Sequence, residues 1–95
     1  MERFLASVNI FVESTQMDNV LAALSKLKDI EEVYEVAGEY DIVTLVSTST
    51  LEEFRDILQK HIMKIKGVKS TITTIILNQF KGSRCQLKTA LKSTT

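Results

Sequence analysis

The chain has no proline and no tryptophan, and only one cysteine, one histidine and three glycines in 95 residues. A single thiol, Cys85, makes no internal disulfide, and a single imidazole, His61, assembles no zinc or iron-sulfur ligand set with it. No apolar run approaches the roughly 18 residues of a membrane span. Met1, Glu2, Arg3 and Phe4 show neither the basic start nor the cleavage site of a secretory signal. These absences predict a cytoplasmic chain with no metal, no cofactor and no membrane partner. Net charge is missing too, since 12 basic residues balance 12 acidic ones. The length holds one domain with a modest core, which association with further copies would enlarge.

What is present is periodic. Phe4, Ala6, Val8, Ile10 and Val12 share one parity, with Ser7 and Asn9 on the other, so Arg3 to Val12 reads as a half-buried strand. Thr15 and Asp18 resemble a capping box with the shorter acid, and Met17, Val20, Leu21, Leu24 and Leu27 form one helical stripe. A period of two returns with Val33, Tyr34 and Val36 among Glu31, Glu32 and Glu35, giving a second strand from Ile30 to Gly38 with a wet acidic face. After the break Gly38-Glu39-Tyr40-Asp41, the run Ile42 to Val46 is a third strand, antiparallel to the second. Ser49 and Thr50 open two overlapping Ser/Thr-x-x-Glu boxes. Leu51, Phe54, Leu58, His61, Ile62 and Ile65 then continue at helical spacing to Gly67, and Val68 to Leu77 is a fourth strand.

The order βαββαβ contains an internal repeat. Residues Met17, Val20 and Leu24 correspond to Leu51, Phe54 and Leu58, all 34 positions on. Two such halves predict an α+β fold of the ferredoxin-like kind, a four-stranded antiparallel sheet with two helices on one face. The other face carries Leu5, Phe11, Val43 and Leu45, more apolar surface than water contact requires, and predicts a partner sheet. The domain is expected to span residues 1–77, with a basic extension over 78–95. That extension holds Lys81, Arg84, Lys88 and Lys92 and no acid, so the neutral total is a net −4 domain joined to a net +4 tail. Leu87 and Leu91 are spaced for one or two helical turns. Four charges give only weak, salt-sensitive contact with nucleic acid, so docking or disorder is the expectation for the tail, and no direct DNA recognition by the folded domain is expected.

Two segments hold chemistry. In Gly38-Glu39-Tyr40-Asp41 the simplest reading is a hairpin turn in which Asp41 caps its own backbone and Tyr40 packs at the sheet edge; the alternative is a binding loop. In Gly67-Val68-Lys69-Ser70-Thr71-Ile72-Thr73, the hydroxyls of Thr71 and Thr73 project from one face of the fourth strand, although threonine is common in strands for its own sake. His61 has no nearby Ser, Cys or acid partner in pattern, Cys85 beside Arg84 has no accompanying second cysteine, acid or histidine, and neither is given a role. Tyr34 and Phe80 read as sheet and junction packing.

Together the two segments resemble the ligand-sensing (RAM) domain of the Lrp/AsnC, or feast/famine, transcriptional regulators. Gly38, Tyr40 and Asp41 match the family's Gly-x-Tyr-Asp loop, and Gly67, Val68, Thr71 and Thr73 match its Gly-Val-x-x-Thr-x-Thr run, within a resemblance spanning residues 3–77. The family's regulators carry an N-terminal helix-turn-helix, and this sequence starts at the first strand, as a stand-alone member would. The resemblance implies an amino acid or related small effector bound where dimers meet in a ring of the octamer or decamer kind, with Gly38, Tyr40, Asp41, Thr71 and Thr73 as ligand-binding residues. Asp41 suits the effector's ammonium, and backbone N–H groups near Gly38 with the hydroxyls of Thr71 and Thr73 suit its carboxylate. Mixed assembly with full-length Lrp/AsnC regulators would carry the signal to DNA, and no catalytic residue is expected. Two alternatives share the strand order: a small enzyme of the dimeric α+β barrel type, for which His61 is the one imidazole, and an ACT-type amino-acid module, whose binding turn after the first strand has no glycine counterpart in Glu13-Ser14-Thr15.

Overall fold

A computed structural model describes residues 3–82. Four strands, β1 (Phe4–Val12), β2 (Ile30–Glu35), β3 (Ile42–Thr48) and β4 (Val68–Ile75), form one antiparallel sheet in the order β2-β3-β1-β4. The period-2 pattern of β1 sets the layers. Ala6, Val8, Ile10 and Val12 are buried on one side, where they meet Val20 and Leu24 of α1 (Met17–Ser25), Phe54 of α2 (Leu51–Asp56) and Ile62. Ile42, Thr44, Val46 and Thr48 of β3 lie on the same side by register. Thr44 is tolerated in this core because its hydroxyl donates to the carbonyl of Val8 at 3.0 Å. The expected ferredoxin-like βαββαβ architecture is therefore the observed one.

Several boundaries differ from the sequence reading, each for a local reason. The Thr15–Asp18 box does not form; Ser14–Gln16 is a turn of 3-10 helix with no side-chain cap, and α1 follows it from Met17. At α2 the second box does form, with the Thr50 hydroxyl accepting from the Glu53 N–H at 3.1 Å and Glu53 Oε1 accepting from the Ser49 N–H at 3.0 Å. Beyond Asp56 the helix widens into a π-helical stretch (Ile57–Ile62), marked by the Met63 N–H bonding the Leu58 carbonyl at 2.9 Å. The wider turn shifts the helical phase, so Ile62 is fully buried while His61, placed on the apolar stripe by spacing, is exposed; Leu51, also placed on the stripe, is exposed in the first turn of α2. The β2–β3 hairpin is looser than a four-residue break, since β2 stops at Glu35 and the Val36 N–H closes the loop on the Asp41 carbonyl at 3.0 Å.

Gly67 is the turn into β4, and packing requires it. Its φ is +106°, and a Cβ there would collide with the Gln16 side chain and sit 3.0 Å from Val20 Cγ2. The same turn accepts the Glu13 N–H on the Gly67 carbonyl at 2.8 Å, tying the end of β1 to the start of β4.

After β4 the chain does not leave the sheet. The Ile76 N–H still donates to the Leu5 carbonyl at 2.9 Å, and residues 76–82 then run over the face away from the helices. Phe80 is 90% exposed there, which corrects its reading as junction packing. The remaining sequence features of the tail, Arg84, Cys85, Leu87, Lys88, Leu91 and Lys92, lie outside the described residues.

Candidate functional site

The geometry around Asp41 follows from unequal strand lengths. β1 runs to Val12, whereas β3 begins only at Ile42, opposite Ile10. The Val12 N–H points to the β3 side of β1 with no backbone carbonyl opposite it, and Asp41 Oδ2 accepts it at 2.8 Å. The Asp41 N–H in turn donates to the Ile10 carbonyl at 3.1 Å. Asp41 thus caps a neighbouring strand rather than its own turn, and its second carboxylate oxygen carries no bond among the described residues.

Tyr40 lies over the face away from the helices, with its ring 5.2 Å from that of Phe11 at 56°. This is a tilted aromatic pair rather than loose edge packing. Gly38 stands at the open tip of the loop, where a Cβ would meet nothing within 4 Å.

Thr71 and Thr73 pair with Ile10 and Val8 of β1, so both side chains lie on the helix side of the sheet, half-buried. Because Ile76 turns its N–H toward β1, the alternation of an antiparallel ladder turns the N–H and C=O of Thr71 and Thr73 outward, off the free edge of β4. Those backbone donors belong to the candidate site and were missed by side-chain reasoning. The signal for them was the place of β4 at the sheet edge, which single-sequence pattern does not give.

The structure brings Gly38, Tyr40 and Asp41 into one loop and Thr71 and Thr73 onto one strand, and it keeps the two groups apart. β1 lies between them, and two strand spacings put the Asp41 and Thr71 backbones roughly 10 Å from each other. Within one copy the five residues do not line a common pocket. The described groove of about 410 Å³ lies elsewhere, toward the far end of the open face, and contains none of the five; it is bounded by Leu5, Glu32, Tyr34 and Leu45 of the sheet and by Ile76 and Gln79. The Tyr34 hydroxyl bonds Glu32 there at 3.0 Å. Among the described residues no three His, Cys, Asp or Glu side chains cluster as a metal site would need, and no helix is long and apolar enough to cross a membrane.

A four-stranded antiparallel sheet in the order β2-β3-β1-β4 with its helices packed on one face defines a ferredoxin-like α+β domain. The family model described as the Lrp/AsnC ligand binding domain matches residues 5–85, and the chain belongs to that family. Among relatives, it is 36% identical over 77 residues to the HTH-type transcriptional regulator FL11 of Pyrococcus horikoshii, covering 81% of this chain and 50% of that protein. It is also 30% identical over 79 residues to a homocitrate synthase of Sulfolobus acidocaldarius, covering 82% of this chain and 17% of that enzyme. Among solved structures, a feast or famine regulatory protein from M. tuberculosis complexed with L-methionine superposes with a TM-score of 0.73 at 35% identity, covering 85% of this chain and 54% of that one. The chain spans about half the length of the regulators it matches.

Proposed function

We propose that this domain binds an amino acid, or a closely related small metabolite, between copies of itself, and that its output is a change of assembly. The observation that carries the reading is the Asp41 carboxylate: one oxygen is held by the Val12 N–H, which fixes the group in place, and the other is open to accept an ammonium in a charge-assisted bond. Support comes from the M. tuberculosis relative, whose structure is a complex with L-methionine. The separation of Asp41 from Thr71 and Thr73 within one copy fits a site that needs a second chain to complete it. Gly38 and Tyr40 from one copy, and the outward backbone and hydroxyls of Thr71 and Thr73, are then assigned to the effector's carboxylate and flanking walls.

On this reading dimers form through the open sheet faces and stack into a ring, and an effector bound better by one assembly shifts the population toward it. Mixed assembly with full-length Lrp/AsnC regulators would pass that shift to DNA. The matched relatives are mostly regulators, and the matched part of the homocitrate synthase is a domain-sized 17% of that enzyme, which favours a regulatory module over a catalytic one.

The test is calorimetry across the amino acids, L-methionine included, at concentrations where the oligomer is formed. Asp41→Asn keeps an acceptor for the Val12 N–H while removing the charge. Binding weakened at least about tenfold by that change, with the fold intact, is the expected result. Equal binding by both proteins, or none by the parent to any amino acid, sinks the site.

A further inference from the structure

The groove at the far end of the open face brings Glu32 and Tyr34 of β2 together with Gln79 and Gly82, and the contact they make is unfinished. Gln79 Oε1 is buried with no hydrogen-bond partner among the described residues, a state in which buried acceptors are seldom left. Gly82 turns the chain tightly beside the same side chain, since its φ is +126° and a Cβ there would collide with Gln79 Nε2. Glu32 accepts from the Tyr34 hydroxyl at 3.0 Å, and Tyr34 is 52% exposed. The groove thus offers a carboxylate, an amide oxygen and an aromatic ring. A donor with positive charge and an apolar flank is the chemistry that completes it.

The chain carries that chemistry immediately afterwards. Only Ser83 separates Gly82 from Arg84, so Arg84 starts within roughly 7 Å of the groove wall before its own side chain is counted. At 100° per residue Arg84, Lys88 and Lys92 fall on one arc of about 140° with Leu87 and Leu91, while Gln86 and Thr89 fall opposite. At helical rise, Arg84 to Lys92 covers about 12 Å, and Glu31 to Glu35 along an extended strand covers about 13 Å. From Ile30 to Glu35, β2 holds three acids and no base, and residues 83–95 hold bases and no acid.

We propose that residues 84–92 dock on β2 of their own chain, with Arg84 closing the groove. Its guanidinium donates to Gln79 Oε1 and to the Glu32 carboxylate, Leu87 and Leu91 pack toward Tyr34, and Lys88 and Lys92 follow the remaining acids. A planar guanidinium fork serves two acceptors at once, which a lysine point charge does less well. The one-residue link favours the chain's own tail over any other occupant by effective concentration. Because β2 is the outer strand, a segment lying along it leaves β3, β1 and β4 uncovered. None of the five candidate effector residues borders the groove, so this proposal stands apart from the effector site.

The test uses the full chain with its single thiol moved, Cys85→Ser with Thr89→Cys, and a nitroxide attached at position 89, on the side of the arc away from β2. Electron paramagnetic resonance reads how much of the label moves slowly with the domain. The expected result is a dominant slow component in the parent and a mobile fraction raised at least about fivefold by Arg84→Glu or by Glu32→Arg, each with an unchanged far-UV spectrum. The double reversal, Arg84→Glu with Glu32→Arg, is expected to restore the slow component. A label that is mobile in the parent, or slow in both single reversals, overturns the proposal. A labelled Glu32→Arg chain that regains the slow component when refolded with excess unlabelled parent shows the tail docking on another copy, and overturns it too.

Discussion

Gly67 and Gly38 open the two candidate site segments, and they occupy opposite physical situations. Gly67 is packed shut: the Gln16 side chain fills the space a Cβ would need, φ is +106°, and its carbonyl holds the Glu13 N–H. Gly38 faces empty space. The same residue type in two motifs of one family therefore answers two demands. At the entrance to β4 glycine lets α1 lie close over the turn, which is a matter of folding. At the tip of the β2–β3 loop nothing in the domain itself crowds the position, so the loop's shape is available for contacts outside it. Asp41 stands between these extremes, with one oxygen spent on Val12 and one not.

The contrast can be broken most severely at Gly67. Gly67→Ala is expected to cost about 3 kcal/mol by urea denaturation, from the collision and the left-handed backbone together. In a Gln16→Gly background the same change should cost measurably less, because the colliding Cβ is gone; equal costs in the two backgrounds would place the strain in the backbone alone. Next comes Asp41→Ala, which orphans the Val12 N–H and should destabilise by about 2 kcal/mol, whereas Asp41→Asn should stay within about 0.5 kcal/mol of the parent. If the two variants melt alike, the Val12 contact contributes nothing and the carboxylate is free for other work. Thr50→Ala removes a formed cap and should cost about 1 kcal/mol, while Thr15→Ala, at a helix start with no side-chain cap, should cost less than half of that in the same assay. The smallest effect is expected at Gly38→Ala, about 0.5 kcal/mol or less in thermal unfolding. A loss there as large as at Gly67 would abolish the distinction between the two turns.

The layers of the fold were legible because they rest on parity and helical spacing. Ala6, Val8 and Ile10 alternate with Ser7 and Asn9, and Val20 and Leu24 fall one turn apart; all five apolar residues are fully buried. What pattern could not show was anything that depends on one element ending before another. The capping role of Asp41 exists because β3 starts two residues short of the end of β1. The exposure of His61 depends on a single widened turn after Asp56, which no residue type there announces. The chain beyond Leu77 was read as an extension apart from the domain, yet Asn78, Gln79 and Gly82 lie against the open face of the sheet with Leu5 and Leu45. For the site, residue types and loop membership were readable, whereas the β1 strand lying between Asp41 and Thr71 is a fact of strand order and emerges only from the pairing.

The two edges of the sheet also differ in what they do to a chain that has not found its partners. β2 is short, irregular in register between Ile30 and Glu32, and studded with Glu31, Glu32 and Glu35, all of which discourage a stray strand from joining it. β4 offers the reverse: from Thr71 to Leu77 the sequence is Thr-Ile-Thr-Thr-Ile-Ile-Leu, seven residues without a charge, a proline or a glycine, with Lys69 as the one gatekeeper within the strand. Such a segment is an aggregation hazard whenever its edge is left open. Assembly would then be a matter of quality control as well as signalling, since a copy that fails to associate leaves its most amyloid-like stretch exposed.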